Sequence, residues 1–164
     1  MRRHPALIPL SHEHHDILVV AQGLIRGRSP APRSDWPANR TRQVARMEEF
    51  FSDVLEPHFR FEEAIVFPLA EQRLARGAAL VRMLLREHDE VRSRLRTLRS
   101  DPRRDLDLRL PALGRLLVTH VRREERVLFE AMQRELDDGV LETVGRQLRA
   151  RPTAGPSCHL PPAG

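Results

Sequence analysis

A chain of 164 residues suits one domain of ordinary size, and 40 % apolar residues are enough for a core. A single cysteine, Cys158, excludes a disulfide framework and a Cys-x-x-Cys metal site; no run approaches the ~20 apolar residues of a membrane span, and the first ten residues, broken by Pro5 and Pro9, are too short for a signal peptide. A cytoplasmic location is expected. The net charge is +5 and every basic residue is Arg, yet the 28 basic residues alternate with 23 acidic ones, the pattern of a solvated, ion-paired surface rather than of a nucleic-acid partner.

In chain order, residues 1–10 read as an extended arm. Ser11 can cap a first helix running to about Arg26, with Ile17, Ala21, Leu24 and Ile25 on one face. Residues 27–39, with Pro30, Pro32 and Pro37, read as a long loop; its one aromatic, Trp36, is expected to cover the end of the molecule. A second helix is predicted from about Thr41 to Arg73, with Val44, Met47, Phe51, Leu55, His58, Glu62, Ile65 and Leu69 inward. Pro57 should kink it, because proline offers no N–H to the Asp53 carbonyl. Gly77 marks a turn. A third helix, about Ala78 to Arg99, turns Leu80, Leu84, His88, Val91, Leu95 and Leu98 inward. After Asp101-Pro102, a fourth covers about Leu108 to Leu136, with Leu113, Leu117, His120, Glu124, Val127 and Ala131 on one face. A short fifth helix fits Asp138 to Arg149. The expected domain is 1–150, followed by a Pro-rich disordered tail, 151–164.

Laid side by side, the two halves repeat. The first reads Glu13-His14-x-x-Ile17, then His58-x-x-x-Glu62-Glu63-x-x-x-Phe67. The second reads Glu87-His88-x-x-Val91, then His120-x-x-x-Glu124-Glu125-x-x-x-Phe129. Two copies of a helix pair imply an all-α, antiparallel four-helix bundle with pseudo-symmetric halves and a short C-terminal helix. Residues four apart share a helix face, so His58 with Glu62, and His120 with Glu124, point into positions that the apolar rhythm assigns to the core. Burying such groups without partners costs roughly 1–3 kcal/mol each, and more for a carboxylate that stays ionised. A metal pair removes that cost: imidazoles ligate, and carboxylates bring charge and can bridge. Donors of nitrogen and oxygen without thiolate suit iron, zinc or manganese.

A lone core His is more often a hydrogen-bonded residue than a ligand. Four at matching repeat positions, two of them paired with Glu at the same offset, reverse that expectation. The candidate metal ligands are His14, His58, Glu62, His88, His120 and Glu124. A register slip of one would substitute His15 for His14. Glu63 and Glu125 are either partners of the ligands or surface charges. His12, His4 and His159 are not expected in this site.

Over roughly residues 10–133 these motifs resemble the hemerythrin-like (HHE cation-binding) family. The resemblance implies a helical bundle around two iron ions with an oxo or hydroxo bridge, His14, His58, His88 and His120 as terminal ligands, and Glu62 and Glu124 as bridging carboxylates. Two departures stand out. Oxygen carriers of the family have a further His one turn before the residue matching His88, where this chain has Leu84; an open position, water or a carboxylate such as Glu63 could take that place. Oxygen carriers also draw the second bridging carboxylate from the position of Glu125, whereas the wider family uses that of Glu124. The resemblance therefore implies sensing of, or reaction with, dioxygen, peroxide or nitric oxide more than reversible oxygen carriage. Peroxidase-like or nitric-oxide-reducing chemistry is the enzymatic form of that reading. A metal-stabilised helical module for protein interaction or regulation, with a protein partner, is the alternative; the oligomeric state stays open.

Overall fold

A computed structural model describes residues 2–28 and 36–151 and shows an all-helical bundle. A 3-10 turn, Pro5–Leu7, leads into α1, Ile8–Arg26. α2 occupies residues 40–73, α3 is Gly77–Ser100, α4 occupies residues 106–135 and α5 is Asp138–Arg149. The N-terminal arm is thus turn and helix instead of extended chain, and Ser11 lies inside α1 rather than at its cap. Pro5 and Pro9 permit this because both stand in first-turn positions, where an N–H has no intrahelical partner to lose. α1 ends on Gly27, whose φ of 70° suits glycine. α2 begins at Asn39, whose side chain accepts from the N–H groups of Thr41 and Arg42. Trp36 packs on the end of the bundle against Gly23, as expected of a cover. The predicted tail, apart from Arg151, and residues 29–35 of the loop lie outside the described residues.

Three wide turns, with five-residue hydrogen-bond spacing, interrupt the long helices. They are Phe51–Leu55 and Glu62–Val66 in α2 and Glu124–Leu128 in α4. Each takes up one extra residue. The first two end two residues before a proline, Pro57 and Pro68; the disturbance expected at Pro57 therefore appears as a widened turn ahead of it. The third has Glu130 where Pro68 stands in the other half, so the wide turn beside Glu62 and Glu124 belongs to the repeat and not to proline.

The extra residue corrects the predicted faces. Below Glu62 the buried residues are Val66, Phe67 and Ala70, while Ile65 and Leu69 are only partly buried. Below Glu124 they are Leu128, Phe129 and Met132; Val127, predicted inward, is 49 % exposed, and Ala131 is partly buried. Phe51, inside the first wide turn, is also partly buried. In α3, which has no wide turn, every predicted inward residue is buried.

The core falls into two apolar clusters. One gathers Leu7, Leu10, Phe67, Leu84, Phe129, Met132 and the inner face of α5. The other gathers Ile17, Leu24, Met47, Phe59, Val91, Leu95, Leu113 and Leu117. Gly114 lets α4 approach α1 closely: a Cβ there would lie 2.6 Å from the Ala21 carbonyl oxygen. Between the clusters lies a layer of six buried polar side chains, sandwiched by aromatic rings. Phe59 stacks on His88 with ring centroids 3.6 Å apart, and Phe129 stacks on His14 at 5.4 Å. Among the described residues no helix is long and apolar enough to cross a membrane.

Candidate metal centre

His14, His58, Glu62, His88, His120 and Glu124 are each at most 1 % exposed. They form two groups that share both glutamates. His14, His58, Glu62 and Glu124 offer ligand atoms within 4.8 Å of one another, and so do His88, His120, Glu62 and Glu124. Glu62 spans the two: its Oε1 lies 3.3 Å from His58 Nε2, and its Oε2 lies 3.5 Å from His88 Nε2. Glu124 Oε2 lies 3.1 Å from His14 Nε2 and 3.3 Å from His120 Nε2. Within each pair the imidazole Nε2 atoms face each other at 3.1 Å. Two nitrogen lone pairs at that distance require a proton or a cation between them.

All four oxygens of Glu62 and Glu124 are buried without accepting a hydrogen bond. Buried carboxylate oxygens are costly in that state, and imidazole nitrogens lie 3.1–3.7 Å from them. The arrangement fits a cation-binding centre. Four buried imidazoles and two carboxylates, with no sulfur, give the donor set of a nitrogen- and oxygen-bound metal.

The outward nitrogens are equally ordered. His58 Nδ1 donates to Glu13 at 2.7 Å, His88 Nδ1 to Glu63 at 2.8 Å, His120 Nδ1 to Glu87 at 3.0 Å and His14 Nδ1 to Glu125 at 2.6 Å. Each bond joins neighbouring helices, α1 to α2, α2 to α3, α3 to α4 and α4 to α1, so the four close a ring around the layer. A carboxylate only accepts, so these bonds put the proton on Nδ1 and leave Nε2 facing inward, as a ligating imidazole requires. Each outer carboxylate is held in turn by an arginine: Glu13 by Arg151, Glu63 by Arg92, Glu87 by Arg123 and Glu125 by Arg3.

Charge follows this geometry. The His88 hydrogen bond, against partial burial and with help from Arg92, holds the Glu63 carboxyl down at about 2. Burial would raise the Glu62 carboxyl, but His58, His14 and His88 keep it well below the usual carboxylate range. Burial works against the charged imidazole of His58, yet Glu62 and Glu13 push it up to about 9; Glu124, Glu125 and Glu62 likewise outweigh burial at His14. At His88 and His120 burial prevails and lowers the pKa.

All six candidate residues meet in one place. His15 and His12 are exposed, and His14 is the histidine of this run that enters the layer. Glu125 is turned to His14 Nδ1 while Glu124 enters the layer. Glu63, one suggested occupant of the position opposite Leu84, is engaged by His88 Nδ1 and Arg92 instead, and Leu84 itself is fully buried in the apolar cluster. His4 caps the first turn by accepting from Ala6 N–H, and Cys158 and His159 lie outside the described residues. The roles of Glu13 and Glu87 were missed. The signal was present, a Glu directly before the repeated His in each half, but adjacency of that kind does not reveal which neighbouring helix it serves.

Bundle, shared carboxylates and paired imidazoles define a helical cation-binding protein. The Hemerythrin HHE cation binding domain family matches residues 7–132, and the chain belongs to it. No curated protein and no solved structure matches the chain.

Proposed function

We propose that this chain holds a non-haem di-iron centre and uses it to sense or react with dioxygen, peroxide or nitric oxide. His14 and His58 hold one iron, His88 and His120 the other, and Glu62 and Glu124 are shared between them. The observation that carries this reading is the pair of carboxylates, buried without hydrogen bonds, between two inward-facing imidazole pairs. Bound iron supplies Lewis-acid and redox chemistry. The chain's own part is to orient the imidazoles through Glu13, Glu63, Glu87 and Glu125, to place negative charge between the cations, and to keep bulk water out with the apolar clusters on either side. Each half contributes two imidazoles, and Leu84 leaves the second half without a third nitrogen. That balance supports reactivity or sensing over oxygen carriage.

Metal analysis of the purified chain together with its near-ultraviolet and visible absorption, before and after oxygen or peroxide, tests the proposal. About two irons per chain and an absorption change with the oxidant are expected. A folded chain that takes up no iron after anaerobic reconstitution overturns it. The alternative, a metal-stabilised module for protein interaction, is favoured by the apolar side chains left exposed, Leu108 at 72 % above all; zinc bound with no response to oxidant would select it.

A further inference from the structure

We propose that the segments flanking the four long helices are part of the metal centre: Arg3, ahead of α1, and Arg151, just after α5, position the imidazoles of His14 and His58, so that one metal position is supported by these flanking residues and the other by the bundle alone. The inference rests on the metal-binding reading above.

The repeat exposes the asymmetry. In the second half, Arg92 lies four residues after His88 and secures Glu63 at 2.8 Å, and Arg123 lies three residues after His120 and secures Glu87. The equivalent positions in the first half are Leu18 and Phe61. Neither can hold a carboxylate, yet Glu125 and Glu13 occupy the same places in the ring as Glu63 and Glu87. The missing guanidinium groups come from elsewhere. Arg3, ahead of α1, donates from Nη2 to Glu125 Oε2 at 2.6 Å and to the Glu125 carbonyl at 2.9 Å, and from Nη1 to Gln133 at 3.1 Å. Arg151, beyond α5, pairs with Glu13, and its guanidinium lies over the ring of Phe61 at 5.2 Å, on the residue that replaces the repeat arginine. Glu125 and Glu13 are the partners of His14 and His58, the two imidazoles of one metal position.

The packing beside α1 and α5 delivers these groups. The Pro5–Leu7 turn packs on α5, so closely that a Cβ on Gly145 would lie 2.9 Å from the Ala6 Cβ, and Ala6, Leu141, Val144 and Leu148 share the lower apolar cluster. Arg3 and Arg151 both fall outside residues 7–132, the part matched by the family. The device is thus built from residues that flank the matched part of the bundle. A planar fork held at two or three points fixes a carboxylate's direction, and the carboxylate fixes the imidazole.

The test loads the full-length chain with ferrous iron under anaerobic conditions, and separately with zinc, and follows metal transfer to a coloured chelator. Wild type is compared with Arg3→Gln/Arg151→Gln, with each single Arg→Lys variant and with Arg92→Gln; far-ultraviolet circular dichroism confirms the fold of each. In the double Gln variant one of two metal equivalents is expected to leave about tenfold faster, the lower end of the effect of removing outer partners, while the other keeps the wild-type rate. Arg→Lys variants, retaining charge but not the fork, fall between. Arg92→Gln accelerates one equivalent, and combining it with the double variant accelerates both. Unchanged release in a folded double variant, or equal acceleration of both equivalents, overturns the inference and leaves the metal centre standing. A wild-type chain that binds one equivalent also overturns it, and one that binds neither metal overturns the metal reading with it.

Discussion

At Glu62 and Glu63 two adjacent carboxylates face different partners. Glu62 enters the layer and accepts no hydrogen bond, whereas Glu63 turns outward to His88 Nδ1 and Arg92. Their replacements should therefore differ in kind. Glu62→Gln removes a shared anionic donor and is expected to abolish stoichiometric metal loading, as is His58→Ala, while His12→Ala, on an exposed residue, loads as wild type. Glu63→Gln leaves all six inner residues in place and is expected to weaken metal affinity about 10- to 100-fold, read by competition with a chelator of known affinity. Equal loading in Glu62→Gln and His12→Ala would defeat the site assignment. The six inner residues were legible in the sequence because each breaks an apolar rhythm at a position the repeat duplicates. Their outer partners were half legible: Glu63 and Glu125 stood out as doubled carboxylates without a direction, and Arg3 and Arg151 carried no signal, because they lie outside the repeat they complete.

Helix order, helix ends within a few residues and the whole inner face of α3 could be read from period and caps, because α3 keeps one hydrogen-bond spacing throughout. The lower halves of α2 and α4 could not. A wide turn advances the chain by one residue, roughly 100° about the helix axis at 3.6 residues per turn, and periodicity counted across it names the wrong face. Val127 and Leu128 separate the two registers. Val127→Ser is expected to change stability by no more than about 0.5 kcal/mol, as for ordinary surface substitutions. Leu128→Ala should cost about 2–5 kcal/mol, because Leu128 is fully buried among Phe129, Met132 and the α5 face. Urea unfolding of the two variants reads the difference; a large loss at Val127 with none at Leu128 would show that α4 keeps α-helical spacing past Glu124. The same wide turn lies just below the layer in both halves, so it sets Glu62 and Glu124 against their His partners above while aiming Phe67 and Phe129 beneath them.

Across the whole molecule, the polar layer divides one bundle into two apolar cores. Each core is drawn from several helices, and each has fully buried Phe, Leu or Met side chains of its own. The helices therefore do not depend on the metal for their hydrophobic contacts, unlike a zinc finger, whose small core fails without its ion. What a cation would add is a partner for the shared carboxylates, whose oxygens are buried without hydrogen bonds. Exhaustive chelation is accordingly expected to leave the far-ultraviolet helical signal near its loaded value while lowering the thermal midpoint. A ligand present at a thousand times its dissociation constant stabilises the state that binds it by about 4 kcal/mol. In a domain of this size each kcal/mol shifts the midpoint by about 2–4 °C, so a drop of roughly 8–16 °C is expected, recovered on adding metal back. Collapse of the helical signal on chelation would mean that the two cores cannot stand apart from the ion, and the metal would then be foremost a structural element, as the interaction-module reading requires. Retained helix with a lowered, restorable midpoint means that the fold is prepared before the metal arrives, as a sensing or reactive centre that exchanges or changes the state of its ions needs it to be.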